Sequence, residues 1–262
     1  MKRIRVALWV EFLKIRKSKM FWATILVFMF VSLMMGLLMF VQIHPEIAGK
    51  LGMIGNKATL LRFGEPNWEN YFTFLNQGFA GIGVVGIGFV VSWVFGREFS
   101  ENTIKDILVL PISRSYIVIS KFIMVVVWSI VLSLVYFITS LLFGLLIEIP
   151  GWSDELVLLD FSRYSVTSLF TIILSAPVAL LASYSRGYML PMGFVILTLI
   201  MANFTGLVGL GPYFPWAIPG LYGTASGSEF LQLNNASYII LFSTGILGII
   251  GTLAIWHYAD HK

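Results

Sequence analysis

The sequence contains no cysteine. That excludes disulfide frameworks, thiolate nucleophiles and cysteine-held metals together. Charge is almost as scarce: 11% of the 262 residues are Asp, Glu, Lys or Arg, against 58% hydrophobic. Soluble domains average about 25% charged and about 45–50% apolar, because a globule of this size keeps a large wet surface for polar groups to cover. With a mean hydropathy of +0.89, an ordinary soluble enzyme is excluded. Disorder is excluded too, since it takes low hydrophobicity and high net charge. The main solvent of this chain is lipid.

What is present is a set of long apolar runs. Crossing about 30 Å of hydrocarbon takes about 20 helical residues, and six runs reach that length: 20–43, 72–96, 122–147, 165–185, 187–210 and 237–256. None contains Asp, Glu, Lys or Arg. Their apolarity is continuous rather than alternating, which argues against a β-barrel. The expected fold is an all-α integral membrane protein, one transmembrane domain over 1–262 with six transmembrane helices. The basic start could be taken for a signal peptide, but the apolar stretch after it is too long and no small-x-small site follows. It reads as an uncleaved first span.

The few charges set the orientation. With the N-terminus inside, residues 1–19 and 97–121, Arg186 and the C-terminus hold 13 of the 17 Lys and Arg residues. The outer loops keep Lys50, Lys57, Arg62 and Arg163, beside the acids Glu148, Asp154, Glu155 and Asp160. Excess Lys and Arg marks the cytoplasmic side, so both termini are expected there. The net charge of +4 then has a topological cause, and no nucleic-acid partner is expected.

Other absences bear on chemistry. No GxxxxGK[ST] occurs, so the chain has no phosphate loop of its own. The stretch from Gly81 to Gly86 matches GxGxxG, yet it lies mid-span, where small residues let helices approach closely in lipid. His44, His257 and His261 form no ligand cluster in the sequence. Uncharged spans offer no proton relay or intramembrane acid–base site. The chain is read as neither an enzyme nor a cofactor or metal binder, and any uphill movement must draw its energy from a partner.

Two charged segments exceed what a connection needs. In 2–19, Ile4, Leu8, Phe12 and Ile15 share one helical stripe while Lys and Arg fill much of the rest, as in a helix lying on anionic headgroups with Trp9 and Trp22 as anchors. Glu11 sits at the stripe's edge, where an acid needs a cationic partner. In 97–121, Thr103 is positioned to cap a helix carrying Asp106 in its first turn. Ile104, Ile107 and Leu108 follow at helical spacing, and Pro111 ends it. Ser113 or Ser115 is the candidate cap of the next helix. Glu98, Glu101, Lys105 and Asp106 are expected in solvent.

This second segment, REFSENTIKDILVLPISRSYIVISKF, resembles the loop of ABC type-2 permeases, the six-span membrane subunits of ATP-binding-cassette exporters with the type V exporter fold. The matching residues are Arg97, Glu98, Thr103, Leu108, Pro111, Ser113, Arg114 and Lys121, with Asn102 where Gly is frequent. The resemblance implies that 97–121 holds a cytoplasmic coupling helix seated on an ATPase subunit. Glu98, Glu101, Thr103, Lys105 and Asp106 are its expected contacts, with Arg97, Asn102, Ile104, Leu108 and Arg114 completing the interface. It also implies that the N-terminal segment, including Glu11, is an interface helix. The expected partners are two ABC ATPase subunits, which bind the ATP and Mg, a second permease subunit, identical or paralogous, and membrane lipids of a bacterial plasma membrane.

Before the last span, Pro212, Pro215 and Pro219 cannot continue a helix, and Trp216 suits an interface. The resemblance implies a broken, re-entrant outer gate there. Pro177 and Pro191 are candidate kinks, and Ser129, Ser133, Thr139 and Ser140 candidate path-lining residues. Spans without charge favour an amphiphilic or hydrophobic cargo, such as a peptide antibiotic, lantibiotic or lipid. The alternatives are a membrane anchor that recruits a soluble partner through 97–118, and a lipid-modifying enzyme using Glu65, Glu69, Asp154 and Asp160.

Overall fold

The computed structural model describes residues 2–46, 64–101, 103, 113–224 and 233–258. Helix α1 (Lys2–Arg16) precedes α2 (Lys19–Ile43), α3 (Trp68–Ser100), α4 (Arg114–Leu146), α5 (Asp154–Ile173), α6 (Ala176–Ser185) and α7 (Met189–Leu207). Two 3-10 turns, Gly211–Tyr213 and Pro215–Ala217, lead into α8 (Ile218–Gly223), and α9 (Asn235–Tyr258) follows. Six segments are long and apolar enough to cross a membrane: α2, α3, α4, α5 with α6, α7 and α9.

The six expected spans are all present, but three outrun their apolar stretches. The run 72–96 becomes Trp68–Ser100, 122–147 becomes Arg114–Leu146, and 165–185 begins at Asp154. A hydropathy run stops at the first charge, whereas backbone hydrogen bonding continues past it. Glu98, Lys121 and Asp160 therefore lie inside helices, in the extensions beyond the uncharged runs.

Local chemistry sets the breaks. Ser18 caps α2, its Oγ accepting from the Met20 N–H at 3.0 Å, and Asn67 caps α3 by accepting from the Asn70 N–H at 2.9 Å. Pro177 has no N–H and its ring would meet the Ile173 carbonyl, so α5 ends at Ile173 and α6 restarts with the proline in its first turn. Arg186, in the left-handed region at φ +53°, ends α6, and the chain reverses into α7.

Helix α9 uses the break between α5 and α6. A Cβ on Gly248 would lie 2.5 Å from the Pro177 nitrogen and 2.6 Å from the Ala176 carbonyl carbon. These are backbone atoms and cannot yield cheaply. Gly248→Ala is expected to push α9 off α6 and cost about 1–3 kcal/mol, read as a lowered thermal midpoint of the purified protein.

The interior is aromatic and fully hydrogen-bonded at its phenols. Tyr71 donates to the Ser140 carbonyl at 3.0 Å, Tyr136 to Leu75 at 3.2 Å and Tyr164 to Ser133 at 2.8 Å. Each bond joins two helices and satisfies a hydroxyl that lipid could not. The outward faces of α7 and α9 are apolar, with Leu197, Ile200, Phe204, Leu247 and Ile250 all more than half exposed.

Candidate partner-facing end and membrane cavity

At one end of the bundle gather α1, the last turn of α3, the first turns of α4 and the last turn of α9. Helix α1 lies mainly against α4 and is held by four charges. Lys14 Nζ reaches Glu11 Oε1 at 2.8 Å and Glu98 Oε1 at 2.9 Å. Lys121 Nζ reaches Glu98 Oε1 at 2.8 Å and Glu11 Oε2 at 3.6 Å, and donates to the Val94 carbonyl at 3.0 Å. Two carboxylates and two ammoniums cancel. Cancellation is required, because the Lys121 and Glu98 side chains are only 1% and 2% exposed.

Burial pulls the Lys14 ammonium down, yet Glu98 and Glu11 outweigh it and leave its pKa raised above the ordinary 10.5. The contribution of the Lys14 charge is therefore complete at neutral pH and is lost as pH rises through the raised value.

The buried face of α1 differs from the expected stripe. Ala7, Glu11 and Ile15 point inward, while Phe12 is exposed and stacks on Trp9 at 5.8 Å. The helix is turned so that its acid, not its aromatic, meets the bundle. Among the other charges, Arg97 lies 4.6 Å over the Trp93 ring and pairs with Glu101 at 3.4 Å. Arg114 donates to the Trp256 and His257 carbonyls at 3.3 and 3.4 Å, tying α4 to the end of α9.

Away from this end the chain folds back on itself. Trp216 packs edge-on against Phe194 at 5.2 Å, about 20 Å back along α7 from its last turn at 1.5 Å per residue. Helix α8 then climbs between α3 and α5. A Cβ on Gly223 would stand 3.1 Å from Asn76 and 3.2 Å from Thr167. Between α3, α7 and this returning segment is a cavity of about 450 Å³ lined by Gln77, Gly81, Asn203, Trp216, Gly220 and Thr224 among others, none charged. Behind it, buried Asp160 accepts from Asn76 Nδ2 at 3.2 and 3.3 Å and pairs with Arg163 at 3.7 Å.

The family model described as "ABC-2 family transporter protein" matches residues 7–203, most of the chain. The chain belongs to the ABC-2 transporter family. It is also similar to the "Bacitracin transport permease protein BCRB" of Bacillus licheniformis, 26% identical over 180 residues, which are 68% of this chain and 86% of that protein. With six apolar helices, it is a multi-pass membrane permease of an ABC transporter, and membership implies an ATPase partner.

Within this permease the expected interface residues divide. Glu101 is exposed, Thr103 folds back on the end of α3 with its N–H donating to the Glu98 carbonyl at 3.0 Å, and Arg97 is partly covered. Glu98 was expected in solvent and is instead inside the ion cluster with Glu11. Its carboxylate needs the two ammoniums more than water. Asn102, Ile104, Lys105, Asp106, Leu108 and Pro111 lie outside the described residues. Ser113 takes the N-cap position of α4 without a side-chain bond.

Pro177 opens α6, and Pro191 stands in the first turn of α7, where a missing N–H costs nothing. Pro212 and Pro219 are buried, Pro215 starts the second 3-10 turn, and Trp216 lines the cavity. Ser129, Ser133 and Ser140 are buried between helices rather than facing the cavity, Ser168 donating to Ser133 at 2.6 Å. Lys14, Gln77 and Asn203 were not singled out in the sequence, and Lys121 was named for the resemblance but not as a partner of Glu98. Gln77 and Asn203 had a signal, since uncharged amides inside apolar spans need polar surroundings.

Proposed function

We propose that this permease exports an amphiphilic or hydrophobic cargo of the peptide-antibiotic, lantibiotic or lipid class by alternating access, driven by ATP and Mg bound in separate ATPase subunits. Both termini are cytoplasmic, two permeases pair with two ATPases, and the segment 97–121 carries the coupling helix. Nucleotide closure moves that segment, α1 follows through the ion cluster, and the spans exchange two discrete packings.

One observation carries the cargo class. Buried ionised groups stand at the ends of the long helices or pair with one another, while the cavity beside the returning segment is lined by apolar and amide or hydroxyl side chains alone. Such a lining leaves a strongly charged ion without a counter-charge and suits a molecule with apolar bulk and a few hydrogen-bonding groups. The similarity to a bacitracin transport permease favours peptide antibiotics within that class. Deleting the gene should raise sensitivity to at least one member of a panel of peptide antibiotics and membrane-active lipids, and Trp216→Ala with Asn203→Leu should fail to restore resistance. An unchanged profile across the panel contradicts the cargo class.

A further inference from the structure

Helices α1 and α3 do not close on each other at the charged end. Between them runs an open groove of about 520 Å³ with Lys14, Lys17 and Ser18 on one wall and Trp93, Arg97 and Glu101 on the other. Three cations face one acid, and that acid is already engaged by Arg97. Lys14 is spent on the ion cluster. Among the described residues Lys17 has no ion partner, and it stands exposed at the mouth. Arg97 lies over the Trp93 ring at 4.6 Å, and its guanidinium can engage a phosphate through more than one N–H.

A second feature adds to this. The groove reaches the start of α2, a 25-residue helix with no acid in its first turn and Lys19 at its first position. That is the wrong charge for the positive end of a helix. An anion in the groove would serve the helix terminus and the lysines together.

The surroundings say which anion. The groove descends from Glu101 to Trp93, about 12 Å along α3, which is the depth of a headgroup layer and the start of the acyl chains. Val10 forms part of its wall, and Val6 and Trp9 on the same helix and Trp22 in the first turn of α2 are more than half exposed. We propose that the groove between α1 and α3 is a binding site for one anionic phospholipid, its phosphate held by Lys17 and Arg97 at the mouth and its chains lying against Trp9, Val10 and Trp22. The lipid seats α1 on α3 from the side that the ion cluster leaves open. This goes beyond the transport reading and stands whether or not cargo crosses.

Native mass spectrometry of the purified permease decides it, with phosphatidylglycerol, phosphatidylcholine and inorganic phosphate as probes. Phosphatidylglycerol should be retained and phosphatidylcholine not. Lys17→Gln with Arg97→Gln should weaken retention about thirtyfold, at roughly 1 kcal/mol for each surface cation. Lys17→Gln alone breaks no bond within the fold and should give a smaller loss in the same direction. Arg5→Gln with Arg16→Gln removes as much charge from the exposed side of α1, outside the groove, and should change little. Equal losses in both double variants would make the effect a general basic surface and overturn the site. Unchanged retention in the groove variants would do the same. Displacement of the lipid by millimolar inorganic phosphate would reassign the groove to a free anion.

Discussion

Lys121→Met should be among the most damaging single substitutions in this protein. The methionine fits the volume but leaves Glu98, with its side chain 2% exposed, facing a single ammonium already shared with Glu11. It also strips the Val94 carbonyl of its donor. Removing one partner of a buried pair costs about 3–5 kcal/mol, because the remaining charge has neither water nor a counterion. Thermal unfolding of the purified permease should show this as a large drop in midpoint or as failure to accumulate. Adding Glu98→Leu should restore much of the loss, since removing both partners leaves the Glu11–Lys14 pair intact at 2.8 Å. If the double variant is no better than the single, the cluster is not held together by its charges.

The second large effect concerns the partner. Glu101→Arg with Asp106→Arg reverses two acids of the proposed coupling segment, the third, Glu98, being held in the ion cluster. Within the permease the change is mild: Glu101 is half exposed and its pair with Arg97 at 3.4 Å is a surface contact worth at most about 1 kcal/mol. Across a closed protein interface, mispairing a charge costs roughly 2–5 kcal/mol. The two readouts should therefore separate, with an unchanged thermal midpoint and at least a tenfold loss of ATPase co-purification. Lys121→Met should lower both. Retention of the ATPase by the reversed variant would move the docking surface elsewhere.

The two halves of the account were unequally legible in the sequence. Six spans could be read because lipid imposes a length and a composition that no other environment imposes on so many runs. Their ends could not, because hydropathy treats Glu98 and Lys121 as boundaries while the helix treats them as a buried pair. Glu11 announced a need for a cation by its place on a basic helix. The cations that meet it come from one turn away and from α4, and only packing brings Lys121 across. The wheel grouped Phe12 with Ile4, Leu8 and Ile15 by apolarity alone, whereas the Glu11 carboxylate with two ammoniums decides which face of α1 meets the bundle. The prolines were legible as interruptions. That Trp216 returns to the level of Phe194 follows from how the broken segment packs against α7, which no local pattern encodes.

The central claim is that this permease converts ATP hydrolysis in a separate subunit into movement of an amphiphilic cargo. The direct measurement is reconstitution of the permease and its cognate ABC ATPase in inverted vesicles, following accumulation of fluorescent peptide antibiotics and lipid analogues. The account predicts ATP-dependent accumulation of at least one probe, requiring both proteins and abolished by the Glu101→Arg, Asp106→Arg variant. An ATPase that binds and is stimulated while no probe moves would contradict it, and would leave a membrane anchor in place of a transporter.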